Sequence, residues 1–232
     1  MSAAHVPPRQ RATAAAGLQS LVHLGIVPLP LLAPAYPERL REQPAAPLLL
    51  YVQGRWPPPP PTVGYVTAGA LDEAGRAEVT ELLAALQAWG ISMLATGAEL
   101  SLLPAAGSIG VLAAGLFVAR SQVPEELRTN VGAGTATLLS VAPLTARATP
   151  ALEAVAATVL QALADGLVVA GTGVAPAPAR ADLHQWHLHP ASAANRGRTA
   201  HPIRGAAGAE RIARELGLRE VGAVRVQQER LW

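Results

Sequence analysis

The sequence contains no cysteine and no lysine, and only 3% of its 232 residues are aromatic. Without cysteine the chain forms no disulfide, no thiolate metal site and no cysteine nucleophile. The few aromatic residues leave a core of alanine, valine and leucine, and little material for stacking on nucleic-acid bases. All 18 basic residues are arginine, and the formal net charge of +2 is too small to indicate a polyanionic partner.

A membrane span and a leader peptide are also not indicated. The longest uncharged run, residues 100–119, carries Pro104 and three glycines, so we interpret it as a turn followed by a buried strand. The first 17 residues lack a basic segment followed by an apolar one, which argues against a signal peptide. We therefore expect a cytoplasmic protein without a membrane partner.

Apolar strands and amphipathic helices alternate from residue 62 onward, and small residues end each strand. This alternation predicts an α/β fold: a Rossmann-like, doubly wound, mostly parallel sheet over about 62–205 with helices on both faces. Strands are predicted at 62–69, 91–97, 108–115, 136–142 and 166–173, and helices at 76–90, 124–131, 150–165 and 208–217.

The chain divides by composition into four segments. Residues 1–34 are an N-terminal helical or extended segment, in which a helix over 12–26 is stopped by Pro28 and Pro30. The other three segments are a Tyr-Pro module with a proline-rich connector (35–61), the Rossmann-like domain (62–218) and a C-terminal tail or strand (219–232). We expect residues 36–56 to pack on the sheet.

Four collinear segments carry a resemblance to a known family. They are YPERLREQPAAPLLLYVQG (36–54), AGSIGVLAAGLF (106–117), GRTAHPIRG (197–205) and GAERIARELG (208–217). Together they resemble the DprA/Smf proteins, which process DNA in natural transformation. The resemblance implies a non-enzymatic protein without cofactors that forms homodimers and binds single-stranded DNA. It also implies RecA or a DprA paralogue as protein partners.

Three anion-contacting features of that family are altered in this chain. Gly69 stands where the family has a phosphate-gripping arginine, and Glu99 lies in the loop TGAELSLL (96–103) where a positive charge is expected. Ala156 and Thr158 replace the family's next arginines, while Arg198 is retained. Two functions stay open: a DprA-like protein that binds single-stranded DNA weakly, or a diverged paralogue without DNA binding. The paralogue would act as an interaction or regulatory module, or hold a small nucleotide-like ligand.

Ligands of doubly wound sheets sit beyond the carboxyl ends of the strands. Backbone N–H groups in glycine turns at these strand ends can bind phosphate without arginine. The alternative is that the glycines only permit tight turns between strand and helix. Any remaining DNA affinity would also depend on scattered arginines, namely Arg76, Arg120, Arg128, Arg147 and Arg180. The alternative interpretation is that these are ordinary surface arginines without a role in binding. The candidate DNA or ligand contacts are Gly69, Thr96, Gly97, Gly115, Arg196, Arg198 and Arg204.

The segment ADLHQWHLHP (181–190) is dense in histidine. His184, His187 and His189, with Asp182 and His201, offer the imidazoles that zinc or nickel prefers. The alternative is a polar loop whose histidines are solvated or stack on Trp186. We assign no metal, because the helical spacing of histidine ligands is missing.

No catalytic residues are predicted. The serines have no motif that places a base beside them, and no G-x-S-x-G sequence exists. The acidic pairs Asp72–Glu73 and Glu125–Glu126 lie at predicted helix starts, where carboxylates interact favourably with the helix dipole. Their positions are explained by structure, and we expect no enzymatic activity.

Overall fold

In the computed structural model, described residues are 19, 21–171, 173–174, 177–178, 180–188, 201–203 and 205–218. Their strands form one sheet in the order β1-β2-β6-β5-β4-β3-β7-β8-β9. The strands from β3 to β9 run parallel, whereas β2 is antiparallel to both β1 and β6. The strands are β1 (Ile26–Pro30), β2 (Leu49–Gly54), β3 (Thr62–Thr67), β4 (Ser92–Thr96), β5 (Ser108–Leu112), β6 (Thr137–Ser140), β7 (Gly166–Ala170), β8 (His184–His187) and β9 (His201–Pro202).

Helices cover both faces of this sheet, which confirms the predicted fold class. Buried side chains of α2, α3, α4 and α6 share one hydrophobic cluster, and those of α1 and α5 share the cluster on the other face. A 3₁₀ helix, Gly97–Leu102, follows β4. The α-helices are α1 (Glu38–Arg41), α2 (Glu73–Ala88), α3 (Leu116–Ala119), α4 (Glu125–Gly132), α5 (Pro150–Leu163) and α6 (Gly205–Glu215).

The two long helices begin at side-chain caps that the sequence provides. The Asp72 carboxylate accepts a hydrogen bond from the Gly75 N–H at 2.7 Å, and the Thr149 hydroxyl accepts one from Leu152 at 3.3 Å. Pro150 follows Thr149 at a position where a helix needs no N–H donor. No helix among the described residues is long and apolar enough to cross a membrane.

The sheet is wider than the predicted span of 62–205. The predicted helix over 12–26 was expected to be stopped by Pro28 and Pro30, but Ile26–Pro30 form edge strand β1. The Leu31 N–H donates to the Leu48 carbonyl of the segment that leads into β2. Because successive backbone N–H groups of a strand point to opposite sides, the nitrogens of Pro28 and Pro30 point away from β2, and no hydrogen-bond donor is needed on that outer side. The β2 strand was expected to pack on the sheet with the rest of 36–56, but it is part of it.

The histidine-rich segment forms strand β8 where a loop was expected. Trp186 is 1% exposed on the face covered by α2 and α6, and its indole N–H donates to Glu215 Oε2 at 2.7 Å. The ring extends along β7 over residue 166, which pairs with His184 and has no side chain. A Cβ at Gly166 would lie 2.2 Å from the indole.

The Tyr-Pro module is tied to the sheet by polar contacts. The buried Tyr36 donates its hydroxyl hydrogen to the Pro47 carbonyl at 2.7 Å, and burial raises the pKa of Tyr36 to about 12. Arg39 of α1 donates to the Asp165 carboxylate at 2.6 Å. The second oxygen of Asp165 accepts the backbone N–H of Thr62 at 2.9 Å, so one carboxylate joins α1, β3 and β7.

Candidate functional site

The carboxyl ends of the parallel strands lie along one edge of the sheet. The chain order along the sheet reverses between β3 and β7, which is where doubly wound folds bind ligands. Here backbone closes that crevice, because the Gly173 N–H donates to the Ala68 carbonyl at 2.7 Å. A Cβ at Gly171 would lie 2.3 Å from the Ala68 oxygen, so only glycine permits this approach.

The open space lies next to the closed crevice, between the ends of β3 and β4. A cavity of about 410 Å³ is bounded by the loop after β3 and the first turns of α2 on one side, and by the 3₁₀ helix on the other. We call it the first cavity. Its lining residues are Thr67, Gly69, Ala70, Leu71, Arg76, Ala98, Glu99, Ser101 and Leu102.

Arg76 and Glu99 are the charged residues that line the first cavity, and the described residues contain no ion pair between them. Both lie near Tyr65, which is fully buried and shares a 3.0 Å hydrogen bond with the Thr67 hydroxyl. Burial raises the pKa of Tyr65 and Glu99 raises it further, whereas the hydrogen bond with Thr67 and the charge of Arg76 oppose this rise. The first cavity thus combines one cation and one carboxylate with hydroxyl groups.

A second cavity, of about 270 Å³, lies between the ends of β4 and β5. Thr96 and Gly97 line it together with Glu153 and Ala156 of α5. Glu153 is the charged residue of this lining, and it is a carboxylate. Gly69 and Ala156, which replace arginines of the resembled family, therefore face different cavities along the same edge.

Gly115 has a packing role in the described structure. A Cβ at this position would lie 2.0 Å from the Pro143 oxygen, so the loop after β6 fills the space beside it. Its backbone N–H donates to the Ala146 carbonyl at 2.9 Å and is therefore occupied. Arg196, Arg198 and Arg204, the basic part of the predicted site, lie outside the described residues.

The histidines of β8 do not converge on one point. Side chains of adjacent strand residues alternate between faces, so His184 and His187 project from opposite faces of the sheet. The His184 Nε2 lies 3.1 Å from Glu215 Oε2, and its ring is tilted against Trp186 at 5.0 Å. His187 is nearly buried, and burial lowers its pKa. Within the described residues no group of three metal-ligating side chains forms; His189 lies outside them.

Comparison of the fold with solved structures identifies its type. DNA processing protein A (DprA) from Streptococcus pneumoniae is similar over 91% of this chain and 76% of that chain, with a TM-score of 0.56 and 15% sequence identity. The chain has the fold of DprA. The Helicobacter pylori DprA, whose structure concerns its single-stranded DNA binding mode, covers 84% of this chain and 89% of its own, with a TM-score of 0.51 and 11% identity. No protein-family model and no curated protein matches the sequence.

These similarities confirm the DprA-like fold that the sequence motifs predict, and at such identities they establish the fold alone. In the sequence Arg76 is one of several scattered arginines, and no motif marks Tyr65 or Ser101 as neighbours of a cavity. Arg76 follows the predicted strand 62–69 by seven residues and opens the predicted helix 76–90. That spacing places a side chain beside the carboxyl end of the strand and was the available signal.

Proposed function

We propose that this chain is a non-catalytic, DprA-like protein that binds single-stranded DNA weakly, one nucleotide phosphate being held at the first cavity. The observation that carries the proposal is Arg76, an exposed cation on a cavity at the carboxyl edge of a sheet with the DprA fold. Arginine pairs with phosphate and also stacks on bases. The hydroxyls of Thr67 and Ser101 add neutral hydrogen-bonding groups to the same lining.

Weak binding follows from the carboxylates along the same edge. Glu99 and Glu153 line the two cavities, and Asp72 and Glu73 occupy the start of α2. Each of them repels a phosphate backbone, and the site lacks the arginine that Gly69 replaces. Arg196, Arg198 and Arg204, of which Arg198 is the retained motif residue, belong to the proposal as further phosphate contacts.

The carboxylates favour a second candidate, a DprA-like interaction module that does not bind DNA. It would keep the fold and use other surfaces to contact partner proteins. RecA, a DprA paralogue and a second copy of the chain remain the partners that the family resemblance implies. Sedimentation at micromolar concentration tests the homodimer, and a monomer there would contradict it.

Fluorescence anisotropy with a labelled oligothymidylate tests DNA binding at low and then moderate salt. We expect binding at low salt only, with a slope of log K against log salt no steeper than about −3. At most four arginines take part, and each released counterion contributes about −0.7. Arg76→Ala should remove most of the binding, whereas Arg55→Ala, at the opposite edge of the sheet, should leave it unchanged.

Glu99→Gln should strengthen binding about threefold, because it removes a partly exposed like charge from the cavity. Glu42→Gln, an exposed carboxylate at the end of α1, is the matched control and should have no effect. Tight binding that survives moderate salt would place the site elsewhere. Binding that Arg76→Ala leaves intact would reject the first cavity, and no binding at low salt would favour the interaction module.

A further inference from the structure

A groove on the face covered by α3 and α4 has a different lining from the two cavities at the carboxyl edge of the sheet. It has a volume of about 230 Å³ and lies between β1, β2, β6 and the two helices. Ile26, Leu116 and Leu138 are buried apolar residues of its lining. At its rim Phe117, the single phenylalanine of the chain, and Leu24 are each 48% exposed.

The charged residues that line the groove are both arginines. Arg120 is exposed and Arg128 is half-buried, and neither forms an ion pair with a described carboxylate. The Nε atom of Arg128 is buried and finds no hydrogen-bond acceptor among the described residues. Buried donors in native proteins nearly always have an acceptor, so no described group holds the Arg128 guanidinium in this position by a bond to Nε. A turn of this half-buried side chain toward the groove would present it to an anionic group from outside.

We propose that this groove binds a short acidic segment of a partner protein, which inserts one bulky apolar side chain between Phe117 and Leu24. The size argues for an anchor residue, because cofactor and small-molecule pockets span about 300–1,000 Å³. Protein interfaces concentrate their energy in such pockets, each filled by one anchoring side chain. Carboxylates beside the anchor would pair with Arg120 and Arg128.

The chain's own terminal segments do not fit this groove by charge. Residues 1–18 carry Arg9 and Arg11 and no acidic residue. Residues 219–232 carry three arginines and two glutamates, so they too are net positive. Neither segment has the excess of acidic side chains that would match the two arginines of the groove, which favours a separate acidic partner. The proposal does not depend on the DNA-binding function.

Four labelled decapeptides test the proposal, each with one central apolar residue (leucine, methionine, phenylalanine or tryptophan) between runs of aspartate and glutamate. Anisotropy with the full chain should show saturable binding of at least one peptide. Its amide counterpart, with asparagine and glutamine in place of the acids, should not bind, and neither should the version with alanine at the centre.

Arg120→Glu should weaken peptide binding about fivefold, as expected for reversal of a rim charge. Phe117→Ala should weaken it at least as much by removing the apolar wall. Arg214→Glu, the same charge change at an exposed position on α6, should have no effect. Thermal melts confirm that each variant is folded.

The proposal is overturned if none of the four peptides binds saturably, if the amide peptides bind equally well, or if Arg214→Glu weakens binding as much as Arg120→Glu does. It is also overturned if the oligothymidylate binds this groove instead. In that case Arg120→Glu would weaken DNA binding while the acidic peptides fail to bind.

Discussion

Replacing Asp165 with alanine should destabilise the protein by about 2–3 kcal/mol. The backbone N–H of Thr62 loses its acceptor, and Thr62 is only 5% exposed, so water replaces the carboxylate poorly. An orphaned buried donor costs about 1–3 kcal/mol. The Arg39 contact adds less than about 1 kcal/mol, because the Arg39 side chain is 53% exposed and screened by solvent.

Two variants separate these contributions. Arg39→Met removes only the ion pair and should cost no more than about 1 kcal/mol. Asp165→Asn keeps an oxygen for the Thr62 N–H but removes the charge. Its loss of stability should therefore fall between those of Arg39→Met and Asp165→Ala. Urea denaturation followed by tryptophan fluorescence measures all three, since Trp186 is buried in the native state. In a chain of this size each 1 kcal/mol lowers Tm by about 2–4 °C.

The pH dependence of stability shows whether the charge of Asp165 stabilises the folded protein. Burial by itself raises the pKa of Asp165, but the hydrogen bonds from Thr62 and Arg39 outweigh it and hold the pKa below its ordinary value. The stabilisation is therefore present above the unfolded-state pKa of about 3.9 and is lost as pH falls through the folded value. Wild type and Asp165→Asn should converge in stability below about pH 4. Equal losses in Asp165→Ala and Arg39→Met would refute this reasoning.

The remaining predictions concern Trp186 and the first cavity. Gly166→Ala should cost at least about 1–3 kcal/mol in a urea titration, because its Cβ would overlap the buried indole; an unchanged midpoint would contradict that packing. Glu215→Ala should cost about 1–2 kcal/mol in a thermal melt by leaving the Trp186 N–H without its acceptor, whereas Glu210→Ala should cost about 0.5 kcal/mol or less. Gly69→Arg should not restore DNA affinity by anisotropy, since residue 69 has φ +84° and a Cβ there would contact Gly173 at 3.3 Å; a gain larger than that from Glu99→Gln would contradict this.

Much of the fold was predictable because its central strands are continuous apolar runs. Strands β3 to β7 are buried on both faces, so their sequences stand out without knowledge of their neighbours. The missed strands depend on tertiary context. In β1 two prolines are tolerated only because their nitrogens point away from β2 at an edge. In β8 the polar His184 is matched by Glu215, which lies 31 positions later on α6.

The position of the candidate site at the carboxyl ends of the strands was predictable from the sequence, but the shape of its cavities was not. Thr96, Gly97 and Gly69 were expected at the carboxyl ends of strands, and the structure places them on cavities there. The backbone bond between Gly173 and Ala68, however, depends on two loops that are about a hundred residues apart in sequence. A sequence pattern does not show that these loops meet and close the crevice between β3 and β7.

The closure of the crevice bears on the arginine that the resembled family has at position 69. From the sequence, Gly69 is a simple loss of positive charge. In the structure this position is also tied to backbone packing, because Ala68, Gly69, Gly171 and Gly173 lie in mutual contact. The cation that lines the first cavity is Arg76, together with Glu99. Any phosphate that binds here would therefore be held between β3 and β4. The chain has the DprA fold, while its open cavity lies one strand away from the switch point.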